Sequence, residues 1–203
     1  MGTKHKRADV RIEPVKIKPS EIAFDIDGVF ANTFKVFVDK ARREYGYQFL
    51  YEDITEYEFW KVIDIDQHVG EAIIQSLIDF PIKNGIRPID GAVEILTRLS
   101  LAGPLLFVTA RPDKAPIMNW IQQQLPMVER DLIQIEATNT YGDKLPVLLK
   151  NRIRYFVEDR LETCYLLEKA SIVPIVFEQP WNLKPHHFPS VKGWDEISSM
   201  IEW

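Results

Sequence analysis

The 203-residue chain contains a single cysteine, Cys164, so it has no internal disulfide and no framework of bridges in place of a hydrophobic core. Cys164 falls in a helix-like stretch, LETCYLLEKA, and reads as an inert core residue. Long apolar runs are missing too, and none approaches the ~18 residues that a membrane span requires. The opening stretch, MGTKHKRADVRIEPVKIKPS, is not apolar, which argues against a secretory signal and for a cytoplasmic address. Internal repeats and low-complexity segments are also lacking. Nor is there an overall excess of positive charge, the formal net charge being -5. Residues 1–20 carry six basic residues (Lys4, Lys6, Arg7, Arg11, Lys16, Lys18) against Asp9 and Glu13, a surplus of four, so the remaining chain carries -9. An acidic body argues against polymeric nucleic acid as a partner. The basic leader reads as a flexible extension.

What is present is an ordinary globular composition, 46% hydrophobic and 27% charged. The length suits one domain, or one core with a small insertion. Short apolar runs alternate with helix-period stretches. The runs are IAFDI (22–26), LLFVTA (105–110), LIQIEA (132–137), RYFVED (154–159) and IVPIVFE (172–178). Each has the length and the β-branched or aromatic content of a buried strand. Between them lie GAVEILTRLSLA, DKAPIMNWIQQQL, KLPVLLKN and LETCYLLEKA. The alternation predicts an α/β fold, a Rossmann-like core with a parallel five-stranded sheet and helices on both faces. Pro174 cannot donate to a ladder, so the fifth strand is expected at an edge.

Residues 31–85 break the rhythm. Phe34, Phe37, Val38, Ala41 and Tyr45 mark one face of a helix that stops at Gly46. Val69, Ala72, Ile73, Leu77 and Phe80 mark a second, ending before Pro81. Between them runs the aromatic, acidic stretch FLYEDITEYEFWK. We read the whole as a small helical cap inserted after strand 1, with the core made of 21–30 and 86–203 and the extension of 1–20.

Four residue groups stand at the carboxyl ends of expected strands or at a helix start, the edge where open α/β sheets bind ligands. Asp25-Ile26-Asp27-Gly28 ends the first strand in two carboxylates, and the glycine lets the chain turn so that both can converge; a polar Asp-Gly turn is the plainer alternative. Thr109-Ala110-Arg111 offers a hydroxyl and backbone N–H groups suited to a phosphate oxygen, or simply a helix start. Lys144 opens a helix against the dipole, a locally unfavourable place that would suit an anion, with a surface lysine as the plainer alternative. Glu158-Asp159 adds a second carboxylate pair, the oxygen donors a hard cation takes.

In this order the groups resemble the four motifs of the haloacid dehalogenase superfamily, over residues 20–178. The resemblance implies a Mg2+-dependent phosphomonoesterase. Asp25 matches the nucleophile, Asp27 the general acid/base, Thr109 the phosphate-binding hydroxyl and Lys144 the motif-three lysine. Asp159 matches the main metal-binding acid, with Glu158 beside it, and the backbone carbonyl of Asp27 joins the metal set. The carbon–halogen hydrolases of the superfamily lack the second Asp, so a phosphoester is the implied substrate. Ala110 and Arg111 belong to the expected phosphate site, although Arg111 could equally pair with an acid. The tail, EQPWNLKPHHFPSVKGWDEI (178–197), resembles the end of the 5'(3')-deoxyribonucleotidase branch and its bacterial relatives. On that resemblance a nucleotide is the expected substrate, with Tyr57, Phe59 and Trp60, and with them Tyr51, either stacking on a base or forming the core of the cap. A sugar or other metabolite phosphate is the alternative within enzymes, and a non-catalytic binding protein the alternative outside them. His186-His187 has no carboxylate or cysteine at ligand spacing and reads as a loop pair.

Overall fold

The computed structural model describes residues 16–203. Six strands, β1 (Ile22–Phe24), β2 (Leu105–Thr109), β3 (Ile133–Ala137), β4 (Tyr155–Glu158), β5 (Val173–Phe177) and β6 (Ser190–Val191), form one sheet in the order β3-β2-β1-β4-β5-β6. Every pairing is parallel. Every residue of β1, β2 and β4 is buried, as strands covered on both faces must be.

Successive side chains leave a strand on opposite faces, and here they divide into two cores. Phe24, Phe107, Val157 and Ile175 pack with Leu96 and Leu99 of α3 (Ala92–Ser100), Trp120 and Ile121 of α4 (Ala115–Gln124), and Trp194 and Ile197 of α7 (Trp194–Met200). Ala23, Leu106, Val108 and Phe156 pack with Leu148 of α5 (Lys144–Lys150) and Leu167 of α6 (Leu161–Glu168). Cys164 is buried with Val176 and Phe188, and burial pushes its thiol up.

The inserted segment leaves the core at Ala31 and returns beside its own exit, where Asn32 N–H donates to Arg87 (2.9 Å) and Ile89 N–H to Phe30 (2.8 Å). Two buried indoles pin these strands, Trp194 donating to Val29 and Trp120 to Ile86, both at 2.9 Å. The segment holds α1 (Thr33–Tyr45) and α2 (Gln67–Asp79), with two 3-10 turns between them. Gly46 ends α1 in the left-handed region (φ 77°), its N–H capping the carbonyls of the last turn. The expected helix faces need adjustment: Tyr45, Ala72 and Phe80 are exposed, while Gly70 is buried against the Phe59 ring.

Three further expectations change. The sheet has six strands rather than five, because the tail folds back and adds Ser190–Val191. Pro174 is consequently not on the outermost strand; β6 pairs only with Val176 and Phe177, so the half of β5 that holds Pro174 has no outer neighbour to donate to. The extension is tethered before residue 20: Ile17 is fully buried, its N–H donating to Met200 and its carbonyl accepting from Glu202, both at 2.8 Å. Residues 1–15 of that extension lie outside the described residues.

Candidate active site

β1 runs out at Phe24, and the Asp25 N–H extends its ladder by donating to Val157 (2.9 Å). The chain then turns at Gly28 (φ 77°). No other residue fits there, since a Cβ would stand 2.1 Å from Asp159 Oδ2 in addition to the strained backbone. The turn brings the ends of β1, β2 and β4 and the start of α5 around one cavity of about 140 Å³.

At its floor Lys144, 2% exposed, sits 3.0 Å from Asp25 Oδ1 and 2.9 Å from Glu158 Oε2. Glu158 Oε1 accepts from the N–H groups of Asp159 and Arg160, each at 3.1 Å. Both oxygens of Glu158 thus accept from donors of the protein, so Glu158 holds Lys144 and the following turn while it also stands in the carboxylate group. Asp159 differs, because its Oδ2 is buried without a hydrogen-bond partner among the described residues. Oxygens of Asp25, Glu158 and Asp159 lie within 4.8 Å of one another, and this is the one such carboxylate group among the described residues.

The electrostatics follow from crowding. Burial pushes Asp25 up to about 8, with Glu158 and Asp27 adding to it and Lys144 opposing. Burial, then Glu158 and Asp25, raise Asp159 well above its ordinary value. Burial also works against Asp27, but the charge and hydrogen bonds of Arg111 outweigh it and hold that carboxyl low. Four carboxylates (Asp25, Asp27, Glu158, Asp159) face two enclosed cations, Lys144 and Arg111. A hard divalent cation fits this donor set: it supplies the missing charge and gives Asp159 Oδ2 a partner.

Thr109 and Ala110 line the cavity at the end of β2, and the Thr109 hydroxyl accepts from the Arg111 N–H (3.3 Å). Arg111 is also at the wall, where its guanidinium forks onto Asp27. The inserted segment contributes Thr33, Phe34, Tyr57, Ile74 and Ile78 to the walls. Of the expected cap aromatics, only Tyr57 reaches the cavity. Phe59 is buried against Phe34 and Phe37 as core of the segment, and Trp60 lies on its surface, 41% exposed. Tyr51 donates instead to Gln179.

Sequence reasoning passed over Thr33, Tyr141 and Arg160. Arg160 lies between two rings, 4.3 Å from the centroid of Tyr57 and 4.1 Å from that of Tyr141, closing the rim across inserted segment and core. The tail motif Gln-Pro-Trp-Asn braces the site from behind. Gln179 Nε2 donates to the Gly28 carbonyl (2.6 Å), and Asn182 Nδ2 donates to the carbonyls of Asp159 and Phe177, both at 2.8 Å. His187 pairs with Glu168 far from these acids in the fold, on α6, and neither histidine joins the carboxylate group. Among the described residues no helix is long and apolar enough to cross a membrane.

The profile of the family described as "5' nucleotidase, deoxy (Pyrimidine), cytosolic type C protein" matches residues 19–202. Among solved structures, a haloacid dehalogenase-like hydrolase from Streptococcus pneumoniae is similar at TM-score 0.58 and 14% identity, over 88% of this chain and 96% of that one. A haloacid dehalogenase-like hydrolase from Bacteroides fragilis gives 0.57 at 10% identity, over 87% and 98%. A superfamily hydrolase of subfamily IA from Geobacter sulfurreducens gives 0.52 at 17% identity, over 92% and 99%. At these identities the likeness concerns the fold. No curated protein matches.

Proposed function

This chain belongs to the cytosolic type C family of deoxy (pyrimidine) 5' nucleotidases, and on that premise we propose that it is a Mg2+-dependent phosphomonoesterase acting on a small nucleotide through an aspartyl-phosphate. The observation that carries the reading is the buried floor: a carboxylate, Asp25, held against Lys144 beside an unpartnered Asp159 oxygen. Such a cluster is costly unless an ion and an anionic substrate complete it.

Asp25, Asp159 and the backbone carbonyl of Asp27 would hold the Mg2+, and the ion supplies charge neutralisation between carboxylate and phosphate when bound. Lys144, held by Glu158, offsets the same repulsion from the protein side. Asp25 attacks phosphorus and displaces the ester oxygen. Asp27, a carboxylate in the free protein, passes the proton of the monoester monoanion to that oxygen and later takes one from the attacking water. The Thr109 hydroxyl and the backbone at Ala110 receive the phosphate oxygens. Above them Phe34, Ile74, Ile78, Tyr57 and Tyr141 make an apolar, partly aromatic wall suited to a flat base. A cytoplasmic address completes the reading.

The test is turnover of a panel of phosphate monoesters weighted toward nucleoside monophosphates, with Mg2+ and after exhaustive EDTA treatment. Mg2+-dependent release of phosphate, best from a deoxynucleotide, is expected. Full activity after chelation would refute the metal assignment, and a sugar phosphate as best substrate would refute the nucleotide.

A further inference from the structure

Arg111 follows the phosphate-binding stretch in the chain, yet its side chain is committed elsewhere. It is 3% exposed. Nε and Nη2 donate to the two oxygens of Asp27 at 2.8 and 2.7 Å. Nη1 donates to the backbone carbonyl of Ile78, in the last turn of α2, at 3.0 Å. Asp27 Oδ1 accepts a further hydrogen bond from the hydroxyl of Thr33, the first residue of α1. Both helices belong to the inserted segment, whereas Asp27 and Arg111 stand on the core. The carboxylate is therefore gripped by one helix of that segment directly and by the other through a guanidinium. A planar fork bound at both carboxylate oxygens, and anchored at its remaining nitrogen, leaves the carboxylate one orientation.

We infer that Arg111 is a positioning residue for Asp27, not a ligand of the transferred phosphate, and that it makes alignment of Asp27 depend on a seated cap; this rests on the assignment of Asp27 as acid/base made above. In the first step Asp27, a carboxylate in the free protein, takes the proton that the phosphate monoester monoanion brings; the bond from Asp25 to phosphorus forms, the ester O–P bond breaks, and that proton goes to the leaving oxygen. In the second, a water oxygen attacks phosphorus, its proton goes to Asp27, and Asp25 leaves as carboxylate. Both proton transfers need Asp27 within hydrogen-bond reach of an oxygen whose place the phosphate dictates, so a small swing of the carboxyl is as harmful as its removal. A displaced cap would withdraw Thr33 and the Ile78 carbonyl together.

The experiment is a double-mutant cycle of Arg111→Met with Asp27→Asn, read as kcat/KM for a nucleoside 5'-monophosphate and as inhibition by inorganic phosphate. Arg111→Met alone should lower kcat/KM by about a hundredfold, within the range of general acid–base catalysis. The double variant should fall no lower than Asp27→Asn, to within about threefold, because the arginine acts only through that carboxyl. Phosphate inhibition should stay unchanged throughout. Losses that multiply, or weakened phosphate inhibition, would overturn the proposal. Should Arg111→Met not fold, Thr33→Val removes one grip on Asp27 and runs through the same cycle with the same expectation. Hydrogen exchange in the last turn of α2 should quicken in Arg111→Met, and unchanged exchange there would overturn the dependence on the cap. Wild-type turnover that disappears in Asp25→Asn is the separate control. Its failure sinks the assignment of the site, whereas multiplying losses with the control intact sink the role of Arg111 alone.

Discussion

Asn182 makes no contact with the cavity, and its removal should nonetheless weaken both the fold and the hold on the metal. The residue is 1% exposed. Its Nδ2 satisfies the carbonyls of Asp159 and Phe177 at 2.8 Å each, and its Oδ1 accepts from the Gln179 N–H at 2.9 Å. Asn182→Ala leaves three backbone groups without these partners, two of them buried and the Gln179 N–H part-buried. Each such group costs about 1–3 kcal/mol, and the low end summed over three is about 3 kcal/mol. In a domain of this size about 1 kcal/mol moves the melting temperature by roughly 2–4 °C, so a fall of about 6–12 °C is expected. The neighbouring Leu183→Ala, at an exposed position, is the control and should change stability by about 0.5 kcal/mol or less. Because one freed carbonyl is that of Asp159, the Mg2+ concentration for half-maximal turnover should rise in Asn182→Ala as well. Thermal melts and Mg2+ titrations of turnover measure both. A melting temperature within about 2 °C of the parent would refute the hydrogen-bond accounting. A lowered melting temperature with an unaltered Mg2+ requirement would refute the link to Asp159.

Asp25→Asn should abolish turnover, by roughly 10⁴ or more, without lowering the melting temperature in EDTA near neutral pH, since it replaces a carboxyl that burial already lifts to about 8 by a neutral group of the same shape; retention of more than a few per cent of activity would exclude a covalent role. Alanine at the three cap aromatics should separate them: Tyr57→Ala shifts the ranking of nucleotide against p-nitrophenyl phosphate, Phe59→Ala costs about 3–5 kcal/mol as a core truncation, and Trp60→Ala does little. In the metal-free protein Asp25 is lifted from 3.8 to about 8, so between those values the folded form holds a proton that the unfolded chain has released. Unfolding free energy should therefore fall as pH rises through that window, and saturating Mg2+ should flatten the slope; chemical denaturation at several pH values, with Mg2+ and with EDTA, reads it out.

The strands, the helices between them and the catalytic turn were legible because they depend on local chemistry. IAFDI and RYFVED are apolar runs too short for anything but buried strands, and an Asp-x-Asp-Gly that follows one can only turn. Contacts that close over distance left weaker marks. Ser190–Val191 is too short to carry a pattern and becomes a strand only because β5 offers it a free edge. Thr33 looks like any helix start and Arg160 like any exposed arginine until Asp27, Tyr57 and Tyr141 are brought beside them.

The order of carboxylate pair, hydroxyl, lysine and carboxylate pair is written in the sequence, because three of them stand where a hydrophobic run ends and Lys144 where a helix begins. Which atoms of those residues remain free for chemistry is a different matter. Glu158 and Asp159 are adjacent acids that composition cannot tell apart, yet Lys144 and two backbone N–H groups donate to one, while a buried oxygen of the other has no partner among the described residues. The Arg111 guanidinium is likewise engaged by Asp27, 84 residues away in the chain. Hydrogen-bond donors and acceptors are finite and short-ranged, so their allocation is settled only when the fold has placed every competitor within reach, and it is the tertiary structure that decides it.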